Sequence, residues 1–305
     1  MPIPKTPAAI SALLLLLAGC GAETLSQSYE IDRTRILAVK SEPAEPVPGQ
    51  PAQLSALVVH PTYEMEAVTW IGCLASAADA FGCDLSAVES LDADALETMT
   101  DEEIAELLDS LEYFGIGESP INPYLPDAAL LNELTEEERD EGLNLLVTLT
   151  AIPNTQGAPL DEEIDVEIAY KRIPISLAST PNENPVIARL LIDGQEVAPG
   201  GTITLTREQT YAIEPLFDEA SIQTYSFTND DGDEETRTEE PYLTFYMTHG
   251  APATNPYSLY PYTTMEYVAD PGEDAGDEPV DVTLWIVARD RRGGMDWWTQ
   301  KLRIE

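Results

Sequence analysis

Positive charge is what this chain has least of. Its 305 residues hold 15 Lys and Arg against 56 Asp and Glu, a formal net charge of −41. Nucleic-acid binding draws its affinity from Lys and Arg clusters that neutralise phosphates. No such cluster is present, so nucleic acid is excluded as a partner. Lying flat on an anionic membrane is disfavoured for the same reason. Lysine is the scarcer cation, present only as Lys5, Lys40, Lys171 and Lys301. A uniformly acidic, lysine-poor surface suits concentrated salt, which screens its self-repulsion. Two explanations of the charge therefore stand: a saline habitat and surface calcium binding.

Catalytic signatures are also missing. There is no Gly-x-Ser-x-Gly elbow, no His-Glu-x-x-His, no phosphate loop and no dinucleotide fingerprint. His60 and His249 are the only histidines, far apart and without a metal-ligand companion at useful spacing. A Ser-His-Asp triad has little to draw on. Paired carboxylates suit glycoside hydrolysis, but with 56 acids pairs arise by chance. The expectation is a protein that is not an enzyme and has no cofactor, calcium excepted.

Long apolar runs are confined to the N-terminus. Residues 8–17 are largely apolar, Lys5 precedes them, and Leu17-Ala18-Gly19-Cys20 ends the run. A membrane span needs roughly 20 apolar residues, so this stretch is too short. It reads as a secretion signal, residues 1–19, with a thiol at the cut site. The motif resembles the lipobox of bacterial lipoproteins. In that family the cysteine is lipidated, the preceding segment is removed and the new terminus is acylated. The resemblance implies lipidation of Cys20 and a membrane partner held through the N-terminal lipid. Gly21 follows the cysteine, so the family's Asp cue for inner-membrane retention is absent, which favours the outer membrane. Two further cysteines, Cys73 and Cys83, then lie in an oxidising compartment. An even pair there reads as a disulfide, worth about 2–3 kcal/mol for so short a loop.

Residues 20–30 are small and polar and read as a tether. A first β-sandwich domain is expected over 31–178. Its strands are predicted at 36–39, 54–59, 67–73, 145–152 and 164–175, with period-two alternation at Ile164, Val166 and Ile168. Trp70 in the third strand is placed to pack across the core. Between the strand groups, residues 84–142 change character. Residues 84–141 hold 19 acids against the single Arg139. Thr100 with Glu103, and Thr135 with Glu138, form capping boxes. Ile104, Leu107, Leu108 and Leu111 mark one helical face. The expectation is an acidic α-helical insertion, either a solvated hairpin on the end of the sandwich or a docking element for a basic partner.

A polar, Pro-bounded linker at 179–185 leads to a second domain, 183–305. Strands are predicted at 186–192, 202–205, 211–217, 222–227, 242–249, 280–289 and 297–304. The last two are joined through Asp290-Arg291-Arg292-Gly293-Gly294. Val280, Val282, Leu284, Ile286 and Ala288 share one face, answered by Trp298, Leu302 and Ile304. Trp285 and Trp297 share the other. Two segments, Tyr225-Ser226-Phe227 before Asp230-Asp231-Gly232-Asp233, and Val287-Ala288-Arg289-Asp290-Arg291-Arg292-Gly293-Gly294, resemble those of immunoglobulin-like and PKD-type sandwiches in bacterial envelope proteins. The first half resembles the same family more loosely. The resemblance implies a mainly β fold of two immunoglobulin-like sandwiches.

Two loops could carry binding. Asn229, Asp231 and Asp233 are spaced closely in a Gly turn and could supply oxygens to calcium. Their other reading is a solvated hairpin tip. The acidic loop 270–277 could join them if the fold brought the tips together. Tyr257, Tyr260, Tyr262 and Tyr267 make a loop rich in aromatics, able to stack on a glycan or anchor a protein partner. Equally, they could pin a long connection to the sandwich. The function expected is a lipid-anchored cell-envelope protein acting as a non-enzymatic binding or presentation module. The alternative is a calcium-dependent carbohydrate-binding or adhesive surface protein.

Overall fold

The computed structural model describes residues 27–62, 65–74, 78–79, 82–83, 99–100, 103, 113–118, 121–125, 129, 143–153, 166–176, 180–229, 231–272 and 275–305. Cys20 and the signal segment lie outside them.

The first sandwich uses β1 (Arg35–Glu42), β2 (Ala52–Val59), β3 (Met65–Leu74), the short pair β4 (Ala78–Asp79) and β5 (Gly82–Cys83), then β6 (Tyr113–Glu118), β7 (Ile121–Tyr124), β8 (Leu143–Pro153) and β9 (Glu167–Ile175). One sheet runs β1-β2-β7 and the facing sheet β6-β3-β8-β9, all antiparallel. That order matches A-B-E against C′-C-F-G of an immunoglobulin sandwich. Alternation in β8 sends Leu145, Val147 and Leu149 inward, where they meet Val39, Leu54, Val68, Ile173 and Ile175. Trp70 is buried among them, as its place in the third strand predicts.

The expected helical insertion needs correction. Residues 113–118 and 121–124 are strands. β6 pairs with β3 from Thr69↔Glu118 to Cys73↔Tyr113, and β7 pairs with β2 from Ala52↔Tyr124 to Ser55↔Ile121. The segment therefore supplies a strand to each sheet. Gly115, Gly117 and Pro123 oppose a helix, while Tyr113, Phe114 and Ile116 favour an extended chain. The first capping box does form. Thr100 N–H and Oγ1 donate to Glu103 Oε2 at 2.8 and 2.9 Å, and Glu103 N–H donates to Thr100 Oγ1 at 3.3 Å. The helical face at 104–111 and the second box, at 135–138, lie outside the described residues.

The second sandwich comprises β10 (Ile187–Ile192), β11 (Gln195–Glu196), β12 (Thr202–Leu205), β13 (Thr210–Phe217), β14 (Thr224–Thr228), β15 (Glu234–Thr238), β16 (Tyr242–Met247), β17 (Ala251–Pro252), β18 (Tyr257–Leu259), β19 (Met265–Val268), β20 (Val280–Arg289) and β21 (Met295–Ile304). Its sheets run β11-β10-β13-β19-β17 and β12-β21-β20-β16-β18. The parallel β12–β21 pair gives the A′-G-F-C order of an immunoglobulin sheet, facing A-B-E, while the edge strands β17 and β18 come in the reverse of the usual C′-then-D chain order. Val282, Leu284, Ile286 and Ala288 meet Leu190, Ile213, Phe245 and Tyr267 in the core. β14 and β15 pair only with each other and form an added hairpin between the B and C places.

The two sandwiches share a buried seam. Ile31, Leu37, Ala38 and Val59 of the first pack on Trp285 and Val287 of the second, with Tyr246, Met295 and Trp297 at the margin. The seam explains two unbroken apolar runs. Leu37-Ala38-Val39 and Leu284-Trp285-Ile286-Val287-Ala288 are buried on both faces, one face in a sandwich core and one between domains. Before β1 the chain docks on the second sandwich. Ile31 N–H donates to Met247 O and Met247 N–H donates to Tyr29 O, both at 2.9 Å.

Candidate functional site

The β20–β21 turn organises the far end of the second sandwich. Asp290 is buried and its carboxylate holds the turn from inside. Oδ1 accepts Arg292 N–H at 2.7 Å and Gly294 N–H at 2.9 Å, and Oδ2 accepts Asn182 Nδ2–H at 2.6 Å. A Cβ on Gly294 would overlap that carboxylate. The turn holds Arg291 at φ 70°, a region costly for a residue with a long side chain.

Three arginines leave this turn for different ends. Arg289 donates to Leu37 O at 2.6 Å across the seam. Arg292 pairs with Glu239 at 2.8 Å and lies 4.2 Å over the Tyr225 ring. The Glu239 side chain is fully buried. Burial pushes its pKa up, and hydrogen bonds from Gln223 N–H and Arg292 oppose that. Arg291 is exposed and has no ion pair among the described residues, 5.8 Å from the Tyr242 ring centroid. Beside it, Tyr242, Asn255, Tyr257 and Leu259 line an open cleft of about 490 Å³. Asn255 Oδ1 accepts Tyr257 N–H at 3.1 Å, an Asx turn that starts edge strand β18. Strand alternation then turns Tyr257 and Leu259 outward, 51% and 39% exposed. Tyr262, in the turn that follows, is 85% exposed.

The four tyrosines singled out from the sequence divide. Tyr257 and Tyr262 present free rings. Tyr260 is partly spent on the fold, with its ring edge-on to Phe217 at 5.8 Å and its N–H on Pro241 O. Tyr267 is a correction, because it lies in the core and is not a surface contact. Met265 and Tyr267 alternate inward on β19, and Tyr267 O–H donates to His249 O at 2.9 Å. Burial, then the charge of Asp270, raises its pKa. Gly250, at φ 85°, leaves room for this ring where any Cβ would collide with it.

At the β14–β15 tip, Asn229 is committed to the turn. Its Oδ1 accepts Asp231 N–H at 3.0 Å and Asp233 N–H at 2.9 Å, and its Nδ2 donates to Glu235 at 2.7 Å. Among the described residues no three His, Cys, Asp or Glu side chains are grouped to hold a metal. Cys73 is disulfide-bonded, and the Cys83 side chain lies outside the described residues.

Sequence reasoning missed the seam's polar residues. Asn184 Nδ2 donates to Ser41 O at 2.8 Å and its Oδ1 accepts Met295 N–H at 2.9 Å. Lys171 donates to Gly293 O at 2.9 Å, and Lys40 pairs with Asp296 at 3.2 Å. The signal was the pair of amides, Asn182 and Asn184, in a linker that looked merely polar. A second groove, about 660 Å³, brings Pro61 and Thr62, next to His60, against Thr248 and His249 at the other end of the seam.

Comparison with known proteins matches no family model and no curated protein. Among solved structures the chain is similar to the D00-D0 domain of Intimin, at 8% identity over 90% of this chain and 98% of that one, with a TM-score of 0.24. The immunoglobulin-like assignment rests on the strand order of the two sandwiches. Among the described residues no helix is long and apolar enough to cross a membrane.

Proposed function

We propose that this chain is a lipid-anchored cell-envelope protein, held at the outer membrane through Cys20, that acts as a non-enzymatic binding module. The observation that carries the reading is the placement of the exposed Tyr257–Tyr262 face relative to the N-terminus. The described chain begins beside Met247, at one end of β16. Leu259 and Arg289 pair with Tyr242 at the other end, Arg291 lies by the Tyr242 ring, and Tyr257 pairs with Thr244 two residues along. Those ends are five residues, about 17 Å, apart along the strand. Seven steps of chain separate Cys20 from Gln27, a reach of at most about 25 Å. A lipid on Cys20 therefore attaches from the Met247 side, leaving the Tyr242 end on the side opposite the attachment. The shared seam supports display by holding the sandwiches together. The calcium-dependent reading through Asn229, Asp231 and Asp233 has less support, since turn N–H groups already occupy the Asn229 oxygen.

The test has two arms. Labelled palmitate should enter the wild-type chain and not Cys20→Ser, and incorporation into both would sink the anchoring claim. Ligand capture on a glycan and envelope-protein array should be lost in Tyr257→Ala with Tyr262→Ala. Capture unchanged by that pair would sink the binding face.

A further inference from the structure

We infer that the cleft beside Arg291 binds a glycan carrying a sparse carboxylate, such as a single uronate or sialate among neutral sugars. This rests on the binding-module reading and names its ligand class. The chain has 56 acids, yet Arg291 has no carboxylate partner among the described residues. Its neighbours are committed elsewhere, Arg289 to Leu37 O across the seam and Arg292 to Glu239 within the second sandwich. A strained turn, fixed by buried Asp290, presents this guanidinium, free of any ion pair, at the rim of a cleft whose walls are Tyr257, Leu259 and Tyr242. Backbone strain retained at an exposed position points to a use for that side chain.

Each part selects chemistry. A guanidinium fork matches a carboxylate with two parallel hydrogen bonds. Exposed tyrosine rings offer apolar faces, each with a polar tip, to the flat C–H face of a pyranose. The open cleft accommodates a chain passing across it. Net charge then sets an upper limit on the ligand's own charge. A dense polyanion would meet the repulsion of a −41 protein, whereas a single carboxylate feels it weakly. The repulsion is long-range and is screened within about 8 Å at physiological salt, while the contact pair is screened much less. Affinity should therefore rise as salt increases from about 10 to about 150 mM, opposite to an ordinary ion-pair complex.

The experiment uses the mature chain on an array of uronate- and sialate-bearing oligosaccharides printed beside their carboxyl-reduced counterparts. The expected result is at least about tenfold preference for the carboxylate form, one decade being about 1.4 kcal/mol. That preference should vanish in Arg291→Gly, and binding of both forms should fall in Tyr257→Ala. Arg291→Gly suits the positive φ, so it should melt no lower than wild type, which separates lost recognition from lost folding. Equal binding of the two forms would overturn the carboxylate inference and leave a sugar-binding face. Preference for an acidic peptide control would overturn it in favour of a protein ligand. No binding to any sugar, with envelope-protein capture intact and sensitive to the tyrosine pair, would overturn the glycan claim and spare the binding module. Loss of every ligand would overturn both.

Discussion

Lys171 makes the seam sensitive to pH in an unusual direction. Its ammonium donates to Gly293 O, and burial, only partly offset by Asp290, brings its pKa down from 10.5 to about 8. Between those values the unfolded chain binds a proton that the folded chain has released. Stability therefore rises with pH across that interval. The full difference corresponds to about 3 kcal/mol at about 1.4 kcal/mol per pH decade. Allowing for partial solvent access and a window closing at about pH 9.5, about 1–2 kcal/mol should be seen. The window closes because Tyr267 has a raised pKa. Above its ordinary value the unfolded tyrosine ionises first, and stability falls. Urea melts from pH 7 to 9.5, followed by tryptophan fluorescence, read this directly. Wild type should gain stability over that range and Lys171→Met should stay level. Parallel profiles for the two proteins would refute the burial argument.

Arg292→Ala removes the partner of buried Glu239 and should cost about 3–5 kcal/mol at pH 7. The loss should shrink at pH 5, because burial favours the protonated form of Glu239; equal losses at both pH values, by urea melts, would count against it. Gly250→Ala combines φ 85° with a collision against the Tyr267 ring and should lower stability by more than about 2 kcal/mol. A calorimetric Tm within error of wild type would contradict that. Arg291→Gly relieves φ 70° and should stabilise by about 1 kcal/mol, measured as a shift in urea midpoint at constant m. A lower midpoint would mean that the side chain contributes to the fold.

Much of the sandwich was legible because strand alternation writes itself into β8 and β20. Trp70, and the opposite phases of Trp285 and Trp298, followed from period two alone. The seam was harder to read. An unbroken run such as Leu284-Trp285-Ile286-Val287-Ala288 means burial on both faces, but nothing local says whether a second sheet or a second domain supplies the cover. The segment holding β6 and β7 misled because its flanks carry strong helix-capping signals, while its glycines and aromatics were given too little weight. Tyr267 looked like part of an aromatic loop. Its phase with Met265, and the Gly250 that makes space for it, belong to contacts distant in sequence. Arg291 was visible only as one letter of a hairpin turn. Its isolation depends on where Arg289 and Arg292 go, which only the fold decides.

The docking of residues 29–31 beside β16 has a mechanical consequence. If the chain is anchored as proposed, tension from an N-terminal tether enters the second sandwich at Met247 before it reaches β1. A load applied at the Tyr242 end leaves along the same strand, across the flanking hydrogen bonds to β20. Survival under load depends on an unfolding rate, and here that rate belongs to the second sandwich and the short pairing at Met247. The first sandwich branches off this line of force. While that pairing holds, the first sandwich and its disulfide-bonded strand are spared the stress of attachment.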